Sequence, residues 1–321
     1  MSDINIALIG YGEIGRLHLE RWREVTGARI AIVCDIDPLQ AQAAGALAGC
    51  DVVTQWLDAL EQPSLDIVDI CTPNDLHLPI ALSALDHDLH VLCETPLART
   101  AEEARLMVER AELRDRILMN AFCYRVDPAI LFIREMLDND DIGRPLMFRC
   151  RFSVHFDGVE KLWWSKKDTA GGGALHAIAV HAIDLFRYLV GEVATARGVL
   201  SHFNPEIELE DSVIALLTAN NGATGVIESS WSTPGGRNIL ELYGSAGACE
   251  MNFDTGLLSY KTADMPVWQF KDFTDPDRLQ QQIEHFTDVV RREKPPITTG
   301  ADGLRALEII EEIRRHTGDI Q

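Results

Sequence analysis

The sequence lacks the features that mark a membrane protein or a nucleic-acid-binding protein. No run approaches the roughly 18 apolar residues that a membrane span needs, and no charged-then-apolar leader opens the chain. Basic residues are few: 29 Lys and Arg stand against 50 Asp and Glu, a formal net charge of −21. Such an acidic chain is poorly suited to a phosphate backbone, which needs clustered Lys and Arg. We therefore expect a cytoplasmic protein with no membrane and no nucleic-acid partner.

Several chemical signatures are also missing. The seven cysteines are odd in number, scattered and without a C-x-x-C pair, which favours buried thiols in a reducing compartment over disulfides. His176, His181 and Asp184 lack the H-E-x-x-H spacing, so we expect no metal site. No G-x-S-x-G elbow is present for acyl transfer. The length of 321 residues is enough for two domains with cores of their own.

A glycine-rich turn near the start organises the first half of the chain. Ile4 to Ile9 is an apolar run typical of a buried strand, and a helical pattern begins near Leu17. Between them lies a G-x-G-x-x-G turn, whose residues are Gly10, Tyr11, Gly12, Glu13, Ile14 and Gly15. Strand, glycine turn and helix in this order predict a dinucleotide whose pyrophosphate lies at the helix N-terminus.

An acidic residue predicts which dinucleotide binds. A second strand, Ile30 to Cys34, ends at Asp35, twenty residues past Gly15, and Ile36 follows it. A carboxylate at this place accepts both ribose hydroxyls of NAD and repels the 2′-phosphate of NADP. The sequence therefore predicts NAD rather than NADP, bound against the glycine turn, Asp35 and Ile36.

The first 121 residues alternate strand and helix. The strands Asp66–Cys71 and His90–Cys93 each lead into a polar loop and then a helix. Such alternation predicts an α/β domain with a doubly wound parallel sheet, with ligands at the carboxyl ends of its strands. We assign residues 1–121 to a Rossmann domain that binds NAD.

The pattern changes after residue 121. A helix over Leu175–Val190 precedes seven short strands between Ala194 and Phe270, joined by turns such as Asn220-Asn221-Gly222. This spacing predicts an α+β domain over residues 122–321 with a large, open, mainly antiparallel sheet. The strand Ser212–Ala219 is apolar on both faces, which predicts a homodimer or homotetramer formed through this sheet. Its last helix is also expected to reach back to the first domain.

These motifs together resemble the Gfo/Idh/MocA family of oxidoreductases. The resemblance runs nearly end to end, through IALIGYGEIGRLHL, CTPNDLHLPIALSAL, HVLCETPLA, GGGALHAIAVHAIDLFRYLVG and EDSVIALLTANNGATG. It implies a nicotinamide cofactor and a small-molecule substrate such as a sugar, a polyol or a sugar-like acid. Carried over by position, it places further residues along the cofactor, which are Thr72, Pro73, Asn74, His77, Glu94 and Pro96.

Two positions depart from the family pattern. The family usually reads Glu-Lys-Pro where this chain has Glu94-Thr95-Pro96, and Thr95 carries no titrating amine. The family also has an aspartate four residues before its helix histidine, where this chain has Ala177 before His181. His176 is one residue away and, in a continuous helix, points about 100° aside. We therefore expect His181 to be the acid–base group, Thr95 to position the hydroxyl and Asp184 to orient the imidazole.

Other side chains are weaker candidates for substrate contacts. These candidates are Tyr124, Trp163, Trp164, Lys166, Lys167 and His176. Specificity is expected in the loops Phe156–Asp168 and Ser201–Glu210. The departures leave three other readings open beside an NAD-dependent dehydrogenase: epimerisation or elimination on a tightly held NAD, reduction of an imine, and a catalytically silent NAD-binding regulator.

Overall fold

The structure is a computed structural model that describes residues 3–317. Within these residues the chain forms two compact units. The first comprises the described residues up to Cys123 together with Asp277–Leu304, and the second comprises Tyr124–Pro276 together with the described residues from Arg305. Asp277–Leu304 thus belongs to the first unit although it follows most of the second along the chain.

The first unit is an α/β fold around a parallel sheet. Its strands are β1 (Ile4–Ile9), β2 (Ala28–Cys34), β3 (Asp51–Val53), β4 (Ile67–Ile70), β5 (His90–Cys93) and β6 (Leu118–Asn120). Its helices are α1 (Glu13–Trp22), α2 (Pro38–Ala48), α3 (Trp56–Leu60), α4 (His77–Asp86), α5 (Ala101–Arg114) and, from the later segment, α10 (Arg278–Val290). The strands are ordered β3-β2-β1-β4-β5-β6, with every neighbouring pair parallel.

This strand order creates one place where a ligand can enter. The order reverses between β1 and β4, so the loops that follow these two strands leave the sheet in opposite directions. Four strands are apolar enough to be covered by helices on both faces, as a parallel sheet requires. The parallel doubly wound sheet expected from the βα alternation is confirmed.

The second unit carries a larger sheet and its own helices. Its strands are β7 (Pro145–Ser153), β8 (Val193–Ser201), β9 (Ser212–Ala219), β10 (Thr224–Ser230), β11 (Asn238–Gly244), β12 (Ala248–Asn252), β13 (Leu257–Lys261) and β14 (Gln269–Asp272). Its helices are α6 (Pro128–Asp138), α7 (Lys167–Ala170), α8 (Ala174–Ala177) and α9 (Ala179–Leu189). The helix α11 (Gly300–Arg315) begins in the first unit and continues into the second.

The eight strands lie in the order β14-β13-β12-β11-β7-β10-β9-β8. Only the β7–β10 pair is parallel among these described neighbours, so the sheet is mainly antiparallel, as predicted. One face is buried: Phe148 on β7 packs edge-on against Phe186 of α9, with ring centroids 5.5 Å apart. The other face of β9 leaves Ile214 55% and Leu216 43% exposed. Assembly through this face stays a prediction.

The expected single helix over Leu175–Val190 is wrong in one respect. The structure has two helices, α8 and α9, separated at Ile178. The sequence contains no proline or glycine at this point to signal a break. The first turn of α8 is instead fixed from outside, because Ala174 N–H donates to the carbonyl of Glu210.

No helix among residues 3–317 is both long and apolar enough to cross a membrane.

Candidate cofactor and catalytic sites

The glycine turn after β1 has the shape that a dinucleotide pyrophosphate requires. Gly10 has a φ of +95°, and a Cβ there would lie 2.5 Å from the carbonyl oxygen of Cys71. A Cβ on Gly15 would lie 2.1 Å from the carbonyl oxygen of Gly10. Around Gly12, by contrast, no described atom lies within 4 Å of that position, so the backbone is open to a ligand. The helix α1 begins directly at Glu13, which aims its first N–H groups at this opening.

Asp35 lies beside the turn, and two backbone N–H groups hold its carboxylate in place. Its Oδ2 accepts from Tyr11 N–H at 2.7 Å and its Oδ1 from Asp37 N–H at 2.9 Å. A cleft of about 640 Å³ runs along this edge, lined by Tyr11, Gly12, Glu13, Arg16, Leu17, Glu20, Asp35 and Gln40. The cleft, the turn and the carboxylate fit the pyrophosphate and the adenosine ribose of NAD. Ile36 lies next to them and is 86% exposed.

The loops after β4 and β5 form the other part of the nucleotide site. The hydroxyl of Thr72 is buried without a hydrogen-bond partner among the described residues, so it is available to a ligand. His77 is fully buried, and its two ring nitrogens lie 3.0 Å from the carbonyl of Pro96 and 2.9 Å from that of Thr72. Burial lowers the pKa of His77. Its imidazole therefore ties the two loops together behind the cofactor position, while Pro73 is half-buried and Asn74 buried.

Glu94 and Thr95 lie at the end of β5. Glu94 Oε2 accepts from the backbone N–H of Thr95 at 3.0 Å. Glu94 Oε1 lies 3.0 Å from Nε2 of His18, a histidine of α1 that is completely buried. On its other side, His18 Nδ1 lies 2.8 Å from Oδ2 of Asp69, which also accepts from Trp22 Nε1 at 2.7 Å. Glu94 is thus connected to a buried polar cluster beneath the nucleotide site.

This cluster contains side-chain types that also bind metals. Potential ligand atoms of His18, Asp69 and Cys71 lie within 4.8 Å of one another. They are already bonded among themselves: Asp69 accepts from the imidazole and the indole, and Cys71 Sγ lies 3.7 Å from Asp69 Oδ1. Burial and the nearby carboxylates also raise the pKa of Cys71, which disfavours the thiolate that a metal would need. The arrangement is that of a hydrogen-bonded ion cluster.

In the second unit, the glycine-rich segment before α8 is held by Glu210 and Arg314. Glu210 Oε1 accepts from Gly173 N–H at 3.0 Å and from Arg314 Nη2 at 2.8 Å. The same Nη2 lies 3.3 Å from Nδ1 of His176, which is buried. A Cβ on Gly173 would lie 1.8 Å from the Glu210 carbonyl, so only glycine allows this approach. His176 therefore contacts α11 and helps to fix the start of α8.

His181 lies in the first turn of α9 and is half-buried. The edge of its ring meets Tyr124, with centroids 5.5 Å apart and planes inclined by 64°. Tyr124 in turn stacks on Phe152 at 4.9 Å and meets Phe253 edge-on at 5.1 Å. The imidazole is thus held by an aromatic cluster that restricts its orientation and leaves part of its surface open to solvent. An imidazole in this position can act as a general acid or base.

Asp184, which is predicted to orient the His181 ring, has a buried charge partner that the sequence did not indicate. Both carboxylate oxygens of Asp184 face the guanidinium of Arg125, at 2.9 Å from Nε and 2.6 Å from Nη2. Both side chains are buried, and the Arg125 guanidinium also lies 5.0 Å from the ring centre of Tyr188. A guanidinium fits a carboxylate better than an imidazole does because it donates two parallel hydrogen bonds. The pair fixes α9 to the segment that carries Tyr124.

The remaining candidates lie in and around one loop. Trp163 and Trp164 are partly buried against a cluster that also contains Val159, Ile207 and Trp231. The two loops in which specificity was expected therefore pack against a common core. Lys166 and Lys167 are exposed at the start of α7, and the backbone N–H of Lys167 donates to Glu208 at 3.4 Å.

Comparison with known proteins agrees with both units. Residues 4–122 match the family model described as an oxidoreductase family with an NAD-binding Rossmann fold, and residues 130–250 match the GFO/IDH/MocA C-terminal domain. The chain belongs to the Gfo/Idh/MocA oxidoreductase family. The family resemblance inferred from the motifs is confirmed, and so is NAD as the cofactor.

The relatives of this chain include proteins named as dehydrogenases. Levoglucosan dehydrogenase of Pseudarthrobacter phenanthrenivorans is 31% identical over 291 residues, covering 79% of this chain and 75% of that protein. Inositol 2-dehydrogenase 2 of Mycolicibacterium vanbaalenii is 30% identical over 269 residues, covering 80% and 75%. A solved levoglucosan dehydrogenase in complex with NADH and levoglucosan superposes with a TM-score of 0.93 at 26% identity, covering 99% of this chain and 98% of that one.

Some residues that build these sites were missed by the sequence motifs. They are His18, Asp69, Arg125, Glu210 and Arg314. Asp69 carries a usable signal, because a carboxylate inside the apolar strand DIVDIC must have a buried partner. The partner itself, His18, has no such signal, since its position in α1 indicates only that it faces inward.

Proposed function

We propose that the protein is an NAD-dependent dehydrogenase that transfers a hydride between a nicotinamide and a carbon of a sugar, polyol or sugar-like substrate. The observation that carries the proposal is that both units match the domains of one oxidoreductase family, and that the first holds an open glycine turn beside Asp35. Substrate class is supported by the relatives that act on levoglucosan and on inositol.

In this proposal His181 is the acid–base group. NAD, when bound, would accept the hydride from a substrate carbon. The hydroxyl group on that carbon must also lose its proton. An imidazole that titrates near neutrality suits this transfer, and the aromatic contact with Tyr124 limits the directions in which the ring can point. Because the aromatic cluster already restricts the His181 ring, less conformational entropy is lost when the proton is transferred.

Thr95 would position the substrate hydroxyl by hydrogen bonding. It replaces the lysine that usually follows the glutamate in this family, and its hydroxyl donates and accepts without titrating near neutral pH. The backbone bond from Thr95 N–H to Glu94 fixes the turn that carries it. All proton transfer in the forward reaction then falls to His181. We therefore expect kcat to follow a single ionisation, a shallower pH dependence than two titrating groups would give.

The proposal is tested by NAD reduction at 340 nm against a panel of polyols, inositols, anhydrosugars, aldoses and amines. We expect sustained NADH formation with at least one hydroxyl substrate. His181→Asn should lower kcat by about 10²–10⁴-fold, the usual effect of losing a positioned proton acceptor, while the Kd of NAD stays the same. Equal turnover in the variant would remove His181 from the mechanism.

The two positions that depart from the family pattern, Thr95 and Ala177, allow the three alternative functions to be tested. Thr95→Lys combined with Ala177→Asp restores the usual family pair. If the parent is inactive on the panel and this double variant reduces NAD, the parent is a binder or works by another reaction. NAD that copurifies and is reduced and reoxidised within one turnover would indicate epimerisation or elimination. Turnover confined to the amines would indicate imine chemistry.

A further inference from the structure

An ion cluster beneath the nucleotide site has one unusual member, the imidazole of His18. It lies on α1 with no exposed surface, and its two ring nitrogens face two different carboxylates. Nδ1 is 2.8 Å from Asp69 and Nε2 is 3.0 Å from Glu94. The contact to Asp69 is a hydrogen bond, whereas the contact to Glu94 is an ion pair that falls short of hydrogen-bond alignment.

Two carboxylates on either side of one imidazole favour its protonated form. A neutral imidazole donates from one nitrogen only and would turn its other lone pair towards a carboxylate oxygen. The titratable groups that face His18 are Asp69 on β4, Cys71 just after β4 and Glu94 after β5. Burial is the largest single influence and lowers the pKa of His18, but the charges and hydrogen bonds of Asp69 and Cys71 together outweigh it and hold that pKa well above its usual value.

We propose that His18 is a positioning residue for the cofactor: as an imidazolium bridging Asp69 and Glu94, it fixes the Glu94 carboxylate and balances its charge at the nicotinamide end of the site. Glu94 belongs to the loop that also carries Thr95 and Pro96, and its other oxygen is bonded to Thr95 N–H. Moving Glu94 would therefore move the residue that we assign to the substrate hydroxyl.

The charge balance has a direct consequence for the redox state that binds. Oxidised nicotinamide carries a positive charge and reduced nicotinamide does not, so local charge alters the ratio of their affinities. The cluster of Asp69, His18 and Glu94 has a net charge of −1 when the imidazole is protonated. Removing the His18 charge makes it −2 and favours NAD⁺, while removing the Glu94 charge makes it 0 and favours NADH.

A neighbouring residue supplies the matched control. Trp22 Nε1 donates to the same Asp69 oxygen as His18 does, and its side chain is also fully buried. Trp22→Phe removes that hydrogen bond without changing any charge or touching Glu94. An effect that comes merely from loosening Asp69 or the core would appear in this variant as well.

The first test uses cofactor-free protein and NMR of the ring protons of the ten histidines. The signal that is missing from His18→Gln identifies His18. We expect its pKa to lie well above the usual histidine value, and we expect Glu94→Gln to lower that pKa. A His18 that titrates at or below 6.5, or that ignores Glu94→Gln, overturns the proposal.

The second test measures the Kd of NAD⁺ and of NADH by calorimetry at neutral pH. His18→Gln should shift the affinity ratio towards NAD⁺ and Glu94→Gln towards NADH, each on the order of tenfold. Trp22→Phe should leave the ratio unchanged. If His18→Gln weakens both forms by the same factor, the residue is structural only and the proposal is wrong.

This inference rests on the proposed function for one point alone, the place of the nicotinamide near Glu94. Failure of every substrate in the turnover panel would count against the proposed function, whereas both measurements above need no turnover. Opposite shifts in the two charge variants would support the role of His18 whatever the substrate is. Shifts of the same sign would refute it even in an active dehydrogenase.

Discussion

The substitution Asp35→Asn tests how the protein selects NAD over NADP. The variant removes the carboxylate charge and keeps the size of the side chain. One amide oxygen cannot serve both backbone donors, so either Tyr11 N–H or Asp37 N–H loses its acceptor. That loss disturbs the edge of the cleft for NAD and NADP alike. The ratio of the two affinities therefore isolates the effect of the charge.

The magnitude follows from simple electrostatics. A 2′-phosphate with about two charges, roughly 5 Å from a carboxylate, is disfavoured by about 2–3 kcal/mol at an effective dielectric constant of about 40–60. Each 1.4 kcal/mol corresponds to a factor of about ten in affinity. Asp35→Asn should thus reduce the preference for NAD over NADP by about 30- to 150-fold, most of it through tighter binding of NADP beside Arg16.

The assay is titration of the protein with each cofactor at low and at high salt. Glu20→Gln is the matched control, because Glu20 lines the same cleft and the substitution removes the same charge from a different place. We expect the control to change the ratio by less than about threefold. An unchanged ratio in Asp35→Asn would mean that the carboxylate serves only to hold the backbone of Tyr11 and Asp37.

Three further predictions concern stability and assembly. Asp184→Asn removes the carboxylate charge from the buried pair with Arg125 and should cost about 3–5 kcal/mol in urea unfolding, whereas Asp138→Asn in the exposed pair with Arg134 should cost far less; equal costs would contradict the burial argument. Burial lowers the pKa of His77, His90 and His285, whereas the pKa of His18 is raised and acts in the opposite direction. Because three lowered groups stand against one raised group, the unfolded chain binds more protons and the unfolding free energy should fall as the pH drops from about 6.5 towards 5.5; a rise over that window would contradict this sign. Ile214→Lys with Leu216→Glu should give smaller species in light scattering if the exposed sheet face joins two copies, whereas Leu113→Glu on a 78% exposed helix position should not; an unchanged mass in the first variant would refute that interface.

The parts of the structure that could be predicted from sequence are those fixed by local rules. The turn from Gly10 to Gly15 has few alternatives, because a Cβ at its first or last glycine would overlap the backbone. Thr100 caps α5 because its hydroxyl accepts from Glu103 N–H, which the sequence spacing of a Thr followed three residues later by a Glu indicates. In the strand Ser212–Ala219, Val213, Ala215 and Leu217 alternate inside with Ile214 and Leu216 outside, so both faces are apolar, as the sequence indicates.

The parts that could not be predicted depend on partners far along the chain. The predicted helix divides at Ile178, and the short α8 before this break begins at Ala174, whose N–H donates to Glu210, 36 residues further along the chain. The buried partner of Asp184 is Arg125, which is 59 residues away and has no signal in the local sequence. The bridge of His18 to Asp69 and Glu94 joins a helix to the ends of two different strands. Sequence spacing carries no information about such contacts.

Transfer of deuterium from substrate carbon to nicotinamide tests the central claim most directly. The protein would be incubated with NAD⁺ and inositol or an anhydrosugar deuterated on carbon, and the cofactor analysed by mass spectrometry. The proposed dehydrogenase predicts reduced cofactor that carries one deuterium and accumulates with turnover, and a loss of this signal in His181→Asn. Deuterium that returns to the product carbon, or a cofactor that never acquires the label, would contradict it.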